Sequence, residues 1–102
     1  MRILLAEDDF VTRKFMMNFL SSYGECDAAV DGMEAVDAYL MALEDGEPYD
    51  LACLDIMMPV MDGYQVLRSI RDLEADHGIP EEEQVKVIMT TALNDEENVK
   101  MA

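Results

Sequence analysis

The sequence predicts an α/β fold, a doubly wound parallel sheet covered by helices on both faces. Three observations carry this. Residues 3–6 and 51–54 are apolar runs without polar alternation, which suits strands buried on both sides. Between such runs lie segments with apolar residues at three- and four-residue spacing, long enough to be crossover helices. The resulting order, β-α-β-α-β-α-β-α, requires parallel strands joined by right-handed crossovers.

The elements follow in order. Residues 3–6 form the first strand, and Glu7-Asp8-Asp9 stands at its C-terminal end. A helix is expected from about residue 11 to 22, with Val11, Phe15, Met16, Phe19 and Leu20 as its apolar positions and Gly24 closing it. Residues 25–30 read as a weak second strand, and Asp31-Gly32 as a turn. Residues 33–43 form a second amphipathic helix on Ala35, Val36, Tyr39, Leu40 and Leu43, broken by Asp45-Gly46-Glu47-Pro48. The third strand, 51–54, ends in Asp55. Residues 57–63 are a loop, and 64–73 a third helix with Val66, Leu67 and Ile70 inward. Residues 75–84 are an acidic connection. Residues 85–90 form a fourth strand, and Asn94 or Asp95 could cap a last helix.

Composition narrows the function. The 102 residues amount to one domain, and 51% apolar content excludes a disordered tail. A net charge of −16 disfavours direct contact with nucleic acid or anionic lipid. No apolar run approaches the ~20 residues that cross a bilayer. The first residues turn acidic too soon for a signal peptide, so a cytoplasmic chain is expected. Cys26 and Cys53 have no metal-ligand spacing and read as buried thiols. The ten methionines read mostly as core filler, and His77 as a solvated surface residue.

In parallel sheets, ligands bind beyond the carboxyl ends of the strands. Those ends carry Glu7, Asp8 and Asp9, then Asp55, then Thr90 and Thr91. If the first, third and fourth strands are neighbours, these groups share one acidic pocket. Clustered carboxylates repel, and a bound cation relieves them. Oxygen-only ligands with open positions suit Mg²⁺. Asp55 would then ligate the metal and accept a phosphoryl group, chemistry that carboxylates perform. Acids at strand ends also cap the next helix, and that is the expected role of Asp9.

These residues resemble the receiver domain of two-component response regulators. The likeness rests on Ile3-Leu4-Leu5-Ala6-Glu7-Asp8-Asp9, on Leu54-Asp55-Ile56-Met57-Met58-Pro59-Val60-Met61-Asp62-Gly63 and on Val87-Ile88-Met89-Thr90-Thr91-Ala92. It implies a flavodoxin-like receiver fold with strand order 2-1-3-4-5, an order that comes from the family and not from the residues. It implies a phosphorelay switch, not an enzyme beyond slow self-dephosphorylation. A histidine kinase or histidine phosphotransfer protein would be the donor. Asp55 is the implied phosphoacceptor. Asp8 would touch Mg²⁺ directly, Glu7 through water, and the Met57 backbone carbonyl would complete the protein ligands. Thr91 is the implied switch hydroxyl, with Thr90 second. Arg13 and Gly24 fall where the family places an Arg and a Gly.

The resemblance also implies a fifth strand ending in a Lys, and a fifth helix. Residues 1–102 lack both, and Lys100 falls too early to be that Lys. An incomplete receiver domain is therefore expected, impaired in phosphoryl transfer. Its fourth strand would be an edge bearing Val85, Val87 and Ile88, open to homodimer pairing. Two other functions compete. A Mg²⁺-dependent phosphohydrolase would need a second acid two residues after the nucleophile, where this chain has Met57. A non-phosphorylated interaction domain would leave the pocket idle.

Overall fold

The computed structural model describes residues 1–90. Four parallel strands, β1 (Arg2–Ala6), β2 (Glu25–Ala29), β3 (Leu51–Asp55) and β4 (Lys86–Thr90), form one sheet in the order β2-β1-β3-β4. The expected last helix lies outside the described residues. The helices are α1 (Phe10–Leu20), α2 (Gly32–Glu44) and α3 (Gly63–Asp76), and a short 3₁₀ turn spans Glu81–Glu83. The doubly wound parallel sheet is therefore as the sequence predicts, with element ends shifted by a few residues.

The central strands behave as their composition demands. Ile3, Leu4, Leu5 and Ala6 are fully buried, as are Ala52 and Leu54, because helices cover both faces. Side chains of successive residues alternate between two cores. The larger core joins Leu4, Ala6, Ala52 and Leu54 to Ala35, Tyr39 and Ala42 of α2 and Val66 and Ile70 of α3. The smaller core joins Ile3, Leu5 and Cys53 to Leu20 of α1, with Met16 and Met17 packed against it.

Helix α1 departs from the expected face. Val11, Phe15 and Phe19 are exposed, and α1 packs inward through Met16, Met17 and Leu20. The helix is apolar nearly all round, so spacing alone admits more than one face. Gly24 also serves differently from a helix stop. The helix ends at Leu20 with Ser21 as its cap, whereas a Cβ on Gly24 would collide with the Met1 carbonyl. Gly24 is there so that the chain can pass the start of β1 closely.

Strand β4 pairs with β3 alone among the described residues, and Ile88 on it is half exposed. No helix among the described residues is long and apolar enough to cross a membrane.

Candidate functional site

Register brings the strand ends together. Ala6 of β1 lies opposite Leu54 of β3, so Glu7 and Asp8 emerge beside Asp55. Asp55 in turn lies opposite Thr90 of β4. One carboxylate oxygen each from Glu7, Asp8 and Asp55 falls within 4.8 Å of the others. Glu7 and Asp55 are buried, and Asp8 is exposed. The juxtaposition depends on the order β2-β1-β3-β4, which places β1 and β4 on either side of β3.

Local hydrogen bonds fix each acid. The Glu7 amide donates to the Ala29 carbonyl at 3.1 Å, extending the β1–β2 ladder by one residue. Glu7 Oε2 accepts from the Asp9 amide at 3.0 Å, and Asp55 Oδ1 from the Met57 amide at 3.1 Å. Asp9 is turned away to cap α1, accepting from the Thr12 amide at 2.8 Å, as expected. Below Asp55, the Gly63 amide donates to the Ile56 carbonyl at 3.1 Å. A Cβ on Gly63 would collide with the Asp55 carbonyl, so α3 can begin this close to β3 only at a glycine.

Negative charge is concentrated here. Burial pushes the Glu7 carboxyl up to about 7, and the neighbouring Asp55 charge adds to the shift. Burial raises Asp55 as well, with the Asp8 charge contributing. The ion pairs among the described residues are made by Arg2 and Arg71, and none reaches this trio. Three carboxylate oxygens, with Glu7 and Asp55 both raised by burial and by their acidic neighbours, fit a hard divalent cation that keeps some of its waters.

The site is open. A neighbouring cleft of about 570 Å³ is lined by Ile56, Met57, Met58, Pro59, Asp62 and Tyr64, and not by Glu7, Asp8 or Asp55. The loop that forms it carries Val60 at φ 69°, a left-handed conformation unusual for a β-branched residue. Two features of this region go beyond the sequence reading. Asp62 and Gln65 form a reciprocal capping box that starts α3, a pattern legible as Asp-x-x-Gln. Arg13 Nη1 donates to the carbonyls of Glu7 and Asp8. Thr90, opposite Asp55, reaches the Leu54 carbonyl at 3.5 Å. Thr91 lies outside the described residues.

A doubly wound sheet whose first and third strands end in clustered acids defines a class of α/β domain with a metal-assisted carboxylate site. Within that class, the profile of the response regulator receiver domain matches residues 3–102, and the chain belongs to that family. It is 38% identical over 103 residues to the chemotaxis protein CheY of Treponema pallidum, covering 99% of this chain and 64% of that protein. It is 33% identical over 112 residues to the probable histidine kinase 2 of Oryza sativa, covering all of this chain but only 10% of the kinase. Among solved structures it resembles the receiver domain of the histidine kinase CKI1 from Arabidopsis thaliana complexed with Mg²⁺ and BeF₃⁻, with TM-score 0.76 and 28% identity. That match covers 98% of this chain and 72% of the other. The CheX–CheY–BeF₃–Mg²⁺ complex from Borrelia burgdorferi matches with TM-score 0.72 and 33% identity, over 97% of this chain and 67% of the other.

Proposed function

We propose that the chain is the phosphoacceptor module of a two-component phosphorelay, with Asp55 as the residue that takes the phosphoryl group. The observation that carries this is the meeting of Glu7, Asp8 and Asp55 within 4.8 Å at the strand ends, without a cation among the described ion pairs. Asp8, Asp55 and the Met57 carbonyl would hold Mg²⁺, with Glu7 acting through water. When bound, Mg²⁺ supplies charge screening between the carboxylate and the incoming phosphoryl oxygens.

The donor is a phosphohistidine on a histidine kinase or a histidine phosphotransfer protein. An Asp55 oxygen forms the new O–P bond in line with the breaking P–N bond, and the imidazole leaves with the electron pair and takes a proton from water. The Met57 amide, donating to Oδ1, holds the Asp55 carboxylate in place. Thr91, in the motif Thr90-Thr91-Ala92, is the hydroxyl that would meet the acquired phosphoryl oxygens. The likeness to receiver domains of histidine kinases supports such donors.

The module is not an enzyme beyond slow loss of its own phosphoryl group. Met57 stands where a phosphohydrolase would need a second acid. A cytoplasmic location and no direct contact with nucleic acid or membrane accord with a charge of −16. The exposed Ile88 favours self-association through β4. A strict monomer in light scattering at high concentration removes that part.

The decisive experiment mixes the chain with acetyl phosphate and Mg²⁺ and measures intact mass. An adduct of about 80 Da, one phosphoryl group, that is lost in Asp55→Asn is expected. Rapid multiple turnover of a small phosphoester would instead favour the phosphohydrolase. Absence of any adduct in a chain extended through the fifth strand would favour a non-phosphorylated interaction domain.

A further inference from the structure

We propose that Arg13 is a positioning residue for the metal site: its guanidinium ties down the backbone of Glu7 and Asp8 and so aims their carboxylates at Asp55. The inference rests on the Mg²⁺ reading given above. Nη1 of Arg13 donates to the Glu7 carbonyl at 3.0 Å and to the Asp8 carbonyl at 3.3 Å. Arg13 sits one turn into α1, three residues before Met16 and seven before Leu20, on the side that faces the sheet. Its guanidinium lies over the Phe10 ring, 5.6 Å from the centroid, which limits its freedom further.

The rest of the segment is anchored at other atoms. The Glu7 amide is held by Ala29, the Asp9 amide by the Glu7 carboxylate, and the Asp9 carboxylate by the Thr12 amide. Arg13 takes the two carbonyls between these points. Rotation of either peptide would swing Asp8, the one exposed acid of the trio, away from Asp55. Metal ligands need placement to within about 0.5 Å. Groups behind the ligands typically contribute about 10- to 100-fold to affinity.

Two effects of Arg13 oppose each other. As a cation beside an acidic cluster, it repels a divalent ion, so deleting its charge alone would tighten Mg²⁺ binding. As an anchor, it pre-forms the site, so deleting it would weaken binding. The sign of the change therefore separates the two roles.

The test is isothermal titration of Mg²⁺ into the unaltered chain, R13A, R13K and K14A, with melting temperatures from circular dichroism. Lys14 is exposed on the same helix and serves as the charge control. R13A is expected to bind Mg²⁺ about tenfold more weakly. R13K should recover part of the loss, since an ammonium can still reach a carbonyl, and K14A should match or slightly exceed the unaltered chain. R13A binding as tightly as K14A overturns the proposal. Should R13A fail to fold, R13K decides: weaker binding at an unchanged melting temperature supports positioning, and equal binding overturns it. An unaltered chain that binds no Mg²⁺ overturns the metal reading and this inference together. Binding by the unaltered chain that R13A leaves intact overturns the inference alone.

Discussion

Glu74 and Glu7 are both buried acids, and they differ in what meets their charge. Glu74 is fully buried between α2, α3 and the start of β4. It accepts from the Tyr39 hydroxyl, the Val85 amide and Arg71 Nη1, each at 2.7 Å. Glu7 has one amide, that of Asp9, and otherwise faces Asp55 and Asp8. The first arrangement is complete without a ligand and ties three elements together. The second leaves carboxylates without an ion pair among the described residues, since Arg13 holds the backbone carbonyls there, at the end of the sheet. Burial of an acid therefore does not by itself mark a site. Burial without compensation does.

The largest expected break in this comparison is Glu74→Ala. It strands the Tyr39 hydroxyl and the Val85 amide and removes the ion-pair partner of Arg71. Removing one member of a buried charged network costs about 3–5 kcal/mol. Urea unfolding should show that loss. A cost below about 1 kcal/mol, the scale of a surface pair, would mean the network does not hold α2, α3 and β4 together.

Glu7→Gln tests the uncompensated side through pH. The folded Glu7 carboxyl is raised from its ordinary 4.5 to about 7, chiefly by burial. Between those values the folded chain keeps a proton that the unfolded chain has released. The stability this confers is complete below about pH 4.5 and is lost as the pH rises to about 7. Without Mg²⁺, the unaltered chain should therefore lose stability relative to Glu7→Gln across that window, by on the order of 1–3 kcal/mol. Saturating Mg²⁺ should reverse the loss above pH 7, because it binds the folded carboxylates. Parallel pH profiles for the two proteins, with and without Mg²⁺, would sink this account of Glu7.

Val60→Gly carries the smallest effect and tests whether strain gathers on the same side as the uncompensated charge. Val60 is exposed and holds a left-handed backbone at φ 69°, which costs a side-chain-bearing residue about 1–2 kcal/mol. Glycine removes that cost and gives part of it back as unfolded-state entropy. A gain of about 0.5–1 kcal/mol in thermal unfolding is expected. A loss would show that the Val60 side chain contributes more than its conformation costs.

The comparison also shows what a sequence discloses. The strand ends, the acids on them and the loop from Asp55 to Gly63 were legible, because strand patterning and turn chemistry are local. The buried face of α1 was not, since Phe10, Val11, Phe15 and Phe19 are apolar yet exposed. Glu74 was hidden too. It follows Val66 and Ile70 at four-residue steps, but it lies one residue beyond the expected end of α3, which runs on to Asp76. Arg13 could be placed by resemblance, but its grip on two carbonyls could not.

The sequence by itself determined that acids would stand at the ends of β1 and β3 and that a hydroxyl would stand at the end of β4. It also determined that Asp9 would cap α1. Only the tertiary structure decided the work of the other acids: Glu7 and Asp55 are buried together, Asp8 faces outward, and Glu74 is sealed into the core. The reason is physical. The identity of a carboxylate is local, but its charge is met or left unmet by groups that strand order and register bring from distant parts of the chain.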